Sequence, residues 1–200
     1  MQLRKRWKKK KRHRRLATLC RYNPATMAAV SFRIRQFEKT DFDTLWRIDQ
    51  DCFDPQLAYS RPEMAFYIRR PASFTLVAER DGGGGEVPGN DSARAGILIL
   101  GFIVAETRRK TGHIITIDVV AEARRAGVGS ALLRAAEDQL LRAGAVAVAL
   151  ETPVNNDAAI RFYKQKGYFV EKTLPSYYSN QMDALVMTKA LRPVGQQSAR

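Results

Sequence analysis

The chain has 200 residues, 45% of them hydrophobic, which is enough for one domain with a proper core. No apolar run approaches the roughly 20 residues that span a bilayer, and two cysteines, Cys20 and Cys52, cannot build a disulfide framework, as expected of a cytoplasmic protein. The net charge of +14 sits at one end: residues 1–26 hold eleven Lys and Arg and no Asp or Glu, leaving 23 basic against 20 acidic residues elsewhere.

The basic head, residues 1–30, is expected to stand apart from the folded domain. As an arm it suits a ribosome, a nucleic acid or another anionic surface. A transit peptide is serine-rich and a secretory signal needs an apolar stretch; the head has neither. A third reading starts the protein at Met27-Ala28-Ala29, just before the first strand.

From Phe32 to Phe37 apolar and polar residues alternate, which predicts an opening strand. Thr40 and Asp41 cap a helix reaching about Cys52, with Phe42, Leu45, Trp46 and Ile48 marking its faces. Ser60 and Glu63 have the spacing of a capping box for a second, short helix, and Phe74–Glu79 reads as a strand. Residues 81–95, with Gly82 to Gly85 in a row, read as a flexible hairpin connection, because no helix follows them. Two further strands, Gly96–Glu106 and His113–Val120, are joined by a basic turn.

A helix from Val128 to about Arg142 places Leu132, Leu133, Ala136 and Leu140 at helical spacing, and Gly144 ends it. Ala145–Leu150 is a short buried strand, parallel to the strand before the helix because a helical crossover separates them. A helix from Asn156 to Lys166 and strands Tyr168–Leu174 and Asp183–Leu191 complete an α/β fold with a mixed sheet around a central β-loop-α-β unit. The domain runs over 31–192, with a tail at 193–200.

Within that unit, Ile117-Asp118-Val119 and then Arg124 to Ser130 form the most specific segment of the chain. A buried strand turns through a basic loop straight into a helix. Gly127 and Gly129 let the backbone approach a ligand with no Cβ in the way. The free N–H groups of the helix start, its dipole and the charges of Arg124 and Arg125 suit phosphate oxygens. A diphosphate-bearing ligand is expected here. The Gly-Lys-Ser/Thr ending of a P-loop is missing, and so is the acidic ribose partner of a dinucleotide fold.

The run Arg124-Arg125-Ala126-Gly127-Val128-Gly129 resembles the signature of the GNAT superfamily of acetyl-CoA-dependent N-acetyltransferases. Glu151 followed by Asn156, Ala159 and Tyr163 is similar to the second half of the bacterial ribosomal-protein alanine N-acetyltransferase pattern. Tyr177-Tyr178 with Asp183-Ala184-Leu185-Val186-Met187 looks like the tail of N-terminal acetyltransferases. The resemblance covers residues 32–192. It departs at Ala121, where many relatives have proline, and at Pro153-Val154, where relatives often carry Arg.

The resemblance implies a mainly antiparallel twisted sheet of about seven strands with flanking helices. It also implies an acetyl-CoA site made by Ile117, Asp118, Val119, Arg124, Arg125, Ala126, Gly127, Val128, Gly129, Ser130 and Asn156, with a backbone N–H, that of Val119, polarising the thioester carbonyl. Glu151 would take the ammonium proton, directly or through water, and Tyr163 would protonate the departing thiolate. Tyr177 and Tyr178 would line a slot for a peptide N-terminus together with the loop from Phe53 to Tyr59.

Each residue also has a plainer reading: core strand for Ile117 and Val119, core tyrosine for Tyr163, helix cap for Asn156, surface residue for Glu151, Tyr177 and Tyr178. The expected acceptor is a protein N-terminal α-amine, such as that of a ribosomal protein. An aminoglycoside, a polyamine or a lysine is the alternative acceptor, and a ribosome- or nucleic-acid-binding module built on the head is the alternative class. His13 and His113 stand isolated in sequence, so no metal site or hydrolase triad is expected. The enzyme is expected to be a monomer or a weak dimer.

Overall fold

The computed structural model describes residues 31–81, 97–178 and 180–191. The basic head with His13 and Cys20, the four-glycine run and the C-terminal tail lie outside the described residues. The elements are β1 (Arg33–Gln36), α1 (Phe42–Cys52), α2 (Arg61–Arg69), β2 (Ser73–Asp81), β3 (Ile97–Arg108), β4 (Thr111–Val119), α3 (Val128–Arg142), β5 (Ala147–Pro153), α4 (Asp157–Gln165), β6 (Phe169–Leu174) and β7 (Ala184–Ala190). Among the described residues no helix is long and apolar enough to cross a membrane.

All seven strands join one sheet in the order β1-β2-β3-β4-β5-β7-β6. Only β4 and β5 run parallel; the other neighbours are antiparallel. The exception follows from the chain, since α3 is the crossover that returns it to the same end of the sheet. One face of the sheet packs Leu100, Ile103 and Ile114 against Leu132, Leu133, Ala136 and Leu140 of α3 and against Tyr163 of α4. The other packs Val77, Phe102 and Val104 against Leu45 and Ile48 of α1 and Met64 of α2.

Local signals act as expected at α2: Ser60 accepts from the Glu63 N–H and the Glu63 side chain returns to Ser60, a complete capping box. At α1 they act differently. Asp41 precedes the helix, but its carboxylate does not cap it. It accepts from the Glu38 N–H at 2.7 Å and from the guanidinium of Arg35, closing a 3-10 turn over Lys39–Asp41. Arg35 also pairs with Glu79, 1% exposed on β2, so the acids of this corner tie β1 to the sheet.

Candidate active site

The site begins where the parallel pair ends. Ile114 opposite Leu150 is the last rung that β4 and β5 share; beyond it β4 stays with β3 and β5 stays with β7. The β3–β4 register slips at the same place, leaving Ile115 as an extra residue on β4. Such a bulge bends its strand and breaks the pairing locally. A cavity of about 860 Å3 occupies the resulting gap.

Hydrogen-bond alternation decides which backbone groups face it. Val120 donates to Leu100 O at 3.0 Å, so the antiparallel ladder turns Ile117 and Val119 away from β3 and toward the gap. Asp118 instead pairs with Phe102 of β3, and its side chain is 1% exposed beneath α1. On the facing strand, Val154 donates to Asp183 O, which by the same alternation turns Glu151 and Pro153 toward the gap. Pro153 therefore costs no ladder bond.

The loop after β4 brings the phosphate-type site to one end of this gap. Gly127 precedes α3 with φ +88, a left-handed conformation that glycine adopts freely. The first bond into the helix runs from Ala131 N–H to Gly127 O, so the N–H groups of Val128, Gly129 and Ser130 lack partners within the helix. No acidic residue occupies that first turn, which keeps its positive end open to an anion. Arg125, at φ 65, lines the cavity. Arg124 folds back: its Nε donates to Val119 O at 3.0 Å and its Nη2 reaches Cys52 Sγ at 3.5 Å, bracing the loop against α1. Burial, with Asp118 next in weight, pushes the Cys52 thiol up, so it stays a thiol.

Glu151 lies inside β5 rather than at its end, since the strand runs on to Pro153 paired with β7 alone. Its Oε2 is 2.7 Å from Nε2 of His113. The isolation of His113 in the sequence therefore does not hold in the fold. His113 pairs with Ala149 across the parallel register, and Glu151 is the next residue on the same face of β5. Across the antiparallel register His113 stands opposite Glu106, which is fully buried and paired with Arg70 and Arg108. Thirty-eight residues separate His113 from Glu151, and only the β4–β5 register, which the predicted parallel pairing implied in kind but not in phase, reveals the contact.

Tyr163 is 6% exposed on α4, lines the cavity, and packs against Phe162 and Tyr168. Burial, then the nearby Asp118, pushes its hydroxyl well above the usual phenol range, so it carries a proton to give. Asn156 Oδ1 accepts from the Ala159 N–H at 3.1 Å and so caps α4; the residue also lines the cavity. Tyr178 lines the cavity, while Tyr177 is 50% exposed with its ring edge-on to that of Tyr178. After burial itself, Glu151 is the charge that most raises Tyr177. From the other side the α1–α2 loop contributes Phe53, Leu57 and Tyr59. Tyr59 is clamped at both backbone groups, its N–H on Asp49 at 2.8 Å and its carbonyl on Trp46 and Gln50. Arg161 of α4 and Lys166 just after it also line the cavity, a pair that amphipathic patterning alone reads as solvated surface.

A bulged, parted pair of strands with a left-handed glycine turn at its mouth defines a protein class as well as a cavity. Residues 42–168 match the acetyltransferase (GNAT) family, and the chain belongs to it. It is an N-acetyltransferase. An uncharacterized N-acetyltransferase of Methanocaldococcus jannaschii is 32% identical over 157 residues, covering 78% of this chain and 90% of that protein. An N-alpha-acetyltransferase of Sulfurisphaera tokodaii is 31% identical over 164 residues, 80% of this chain and 93% of its own length. Among solved structures, Ard1 from Thermoplasma volcanium superposes with a TM-score of 0.65 at 29% identity, over 82% of this chain and 99% of that one. The ribosomal-protein-S18-alanine N-acetyltransferase of Escherichia coli shares the fold at a TM-score of 0.65 and 20% identity, over 85% of this chain and 100% of its own.

Proposed function

We propose that this enzyme acetylates the N-terminal α-amine of proteins, with a ribosomal protein among the acceptors to be tested. The observation that carries the reading is the placement of Glu151 on the wall of the gap, backed by His113 at 2.7 Å, with Tyr59 and Tyr178 lining the same cavity. A tyrosine-walled slot that leads to a base suits an extended peptide end. The likeness to N-alpha-acetyltransferases over most of the chain supports the same acceptor.

In this reading Val128, Gly129 and Ser130 hold the diphosphate of acetyl-CoA through their N–H groups, with Arg125 beside them. Ile117 and Val119 offer strand-edge hydrogen bonds to the pantetheine arm, and Val119 N–H polarises the thioester carbonyl. Asn156 keeps its side-chain N–H2 for a pantetheine amide while its oxygen caps α4. Glu151 takes a proton from the incoming ammonium and passes it to His113. The free amine attacks the thioester, the C–S bond breaks as the C–N bond forms, and Tyr163 protonates the thiolate. The nitrogen sheds a second proton by the Glu151–His113 route, Tyr163 is reprotonated from water, and one proton is released overall. We place the reaction in the cytoplasm, where a free thiol such as Cys52 persists.

The test is CoA release with a panel of peptides bearing free N-termini, the same peptides N-terminally blocked with a free lysine, an aminoglycoside and spermidine. Turnover confined to the free N-termini is expected. Turnover of the blocked peptides or small amines alone overturns the choice of acceptor.

A further inference from the structure

Glu106 has no exposed surface, yet it carries a carboxylate into the sheet. Burial of that kind is costly unless the charge is paired. Arg70 Nη1 lies 3.1 Å from its Oε2, and Arg108 Nε bonds its Oε1. Two guanidinium groups account for the charge but not for the position. Glu106 stands directly across the β3–β4 ladder from His113, and its Oε1 is 3.7 Å from His113 Nδ1. That nitrogen is buried and has no hydrogen-bond partner. A closing movement of about 0.5 Å would bring the pair within hydrogen-bond distance.

The groups around the imidazole come from four places: Glu106 and Arg108 from β3, Glu151 from β5, Arg70 from just after α2, and Tyr177 and Tyr178, which feel Glu151, from the β6–β7 loop. Glu106 and Glu151 therefore sit against the two different ring nitrogens. A neutral imidazole carries one proton. Placed on Nε2 it meets the ionised Glu151 at 2.7 Å, but it leaves a lone pair on Nδ1 facing Glu106 and leaves Nε2 unable to accept a further proton. Placed on Nδ1 it points at the Glu106 carboxylate and keeps Nε2 open for the proton that Glu151 takes from the ammonium.

We propose that Glu106 is a positioning residue for the acetyl transfer, holding neutral His113 in its Nδ1–H form and stabilising the imidazolium produced when His113 takes the proton from Glu151. The proposal rests on the reading of Glu151 and His113 as the base pair. The proton balance is simple: the substrate ammonium loses a proton to Glu151, Glu151 loses it to His113 Nε2, and the imidazolium, whose ring is 20% exposed, loses it to water. Glu106 gains and loses nothing. It fixes direction, as the carboxylate behind a catalytic histidine does.

The direct test is nitrogen-15 NMR of the imidazole in the intact chain, with His13→Gln assigning the two histidines. The proposal expects the neutral ring of His113 to carry its proton on Nδ1; a proton predominantly on Nε2 overturns it. This measurement needs no turnover and no variant of the cluster. In steady-state assays with a free-amine peptide that the wild type acetylates, Glu106→Gln should lower kcat about tenfold or more, part of the 10²–10⁴ that a general base supplies, without changing KM for acetyl-CoA. In a His113→Ala background the same substitution should cost nothing further, whereas equal losses in both backgrounds would mean a structural role and overturn the proposal. Should Glu106→Gln fail to fold, the wild-type tautomer decides alone. Should no peptide be acetylated, the choice of acceptor fails while the tautomer still reads Glu106.

Discussion

Ile114 and Leu150 are the last residues that β4 and β5 hold in register, and the next residue along β5 is Glu151. The end of a ladder is thus also the start of the chemistry. Strands that separate expose backbone groups that a ligand satisfies, and the side chain at the fork looks into the space that opens.

Glu151→Gln keeps the side-chain volume and removes the base. A general base contributes about 10²–10⁴ in rate, so kcat should fall at least about 100-fold, with KM for acetyl-CoA unchanged. An N-terminal amine ionises near pH 7.7–8.0, so alkaline buffer supplies the free amine without help. The deficit should therefore shrink as pH rises. A deficit that stays constant from pH 6 to 9 would remove Glu151 from the proton path.

Tyr163→Phe tests the acid. The ring contacts with Phe162 and Tyr168 survive the change, so the fold should persist. Loss of the proton donor leaves a thiolate to depart unaided, and kcat should fall by about 100-fold, the low end of acid–base contributions. An acetyl donor whose thiol is more acidic needs less help, so with such a donor the rates of the wild type and of Tyr163→Phe should converge. Equal losses with both donors would make Tyr163 a packing residue only.

Much of this was legible before the fold. The 3.6 spacing of Leu132, Ala136 and Leu140 and the glycine at 144 place α3 to the residue, because a long amphipathic helix repeats its own signal. The turn into α3 at Gly127 was legible as well, since both its pattern and its conformation are local. What was not legible depends on register. Whether Glu151 meets His113, and whether Ile117 or Asp118 faces the gap, turns on one residue of phase between strands far apart in sequence. The bulge at Ile115 sets that phase, and nothing in the run Ile114-Ile115-Thr116 marks which residue is the extra one. Asp41 shows the same limit on a smaller scale: its spacing suits a cap, yet the Arg35 guanidinium claims it.

Gly127 and Gly129 separate under substitution. A Cβ at Gly127 meets nothing within 4 Å, so space is not the constraint there; the φ of +88 is. Gly127→Ala should cost about 1–2 kcal/mol, read as a lower Tm without ligand. At Gly129 a Cβ would sit 3.6 Å from Val119 and 3.7 Å from Phe162, ordinary contact distances. Alanine also favours the helix by about 0.8–1.0 kcal/mol over glycine, so Gly129→Ala should leave Tm unchanged or raise it. Its effect should appear in KM for acetyl-CoA, about tenfold higher, equivalent to roughly 1.4 kcal/mol of binding. An unchanged KM would mean that the diphosphate does not approach this turn.

Asp49 gives a stability signature of defined sign. It is fully buried, and burial first of all raises its carboxyl from 3.8 to about 6, against the opposing hydrogen bonds from Tyr59 and Gln50. An acid raised in the folded state stabilises the fold fully below its unfolded value, and that contribution is lost as pH rises through about 6. A difference of about 2 corresponds to roughly 3 kcal/mol at most. Asp49→Asn keeps an oxygen for the Tyr59 N–H and offers an N–H2 in place of the Oδ1 that now has no partner. The variant should therefore melt higher than wild type at pH 7.5, and the advantage should fade toward pH 4.5. Asp118 is raised by its burial and next by Asp49, so removing the Asp49 charge also relaxes Asp118, and the difference between the two curves reads the Asp49–Asp118 pair in the same direction. A variant that melts lower at pH 7.5 would show that the ionised carboxylate, through its hold on Tyr59, is worth more to the α1–α2 loop than its burial costs.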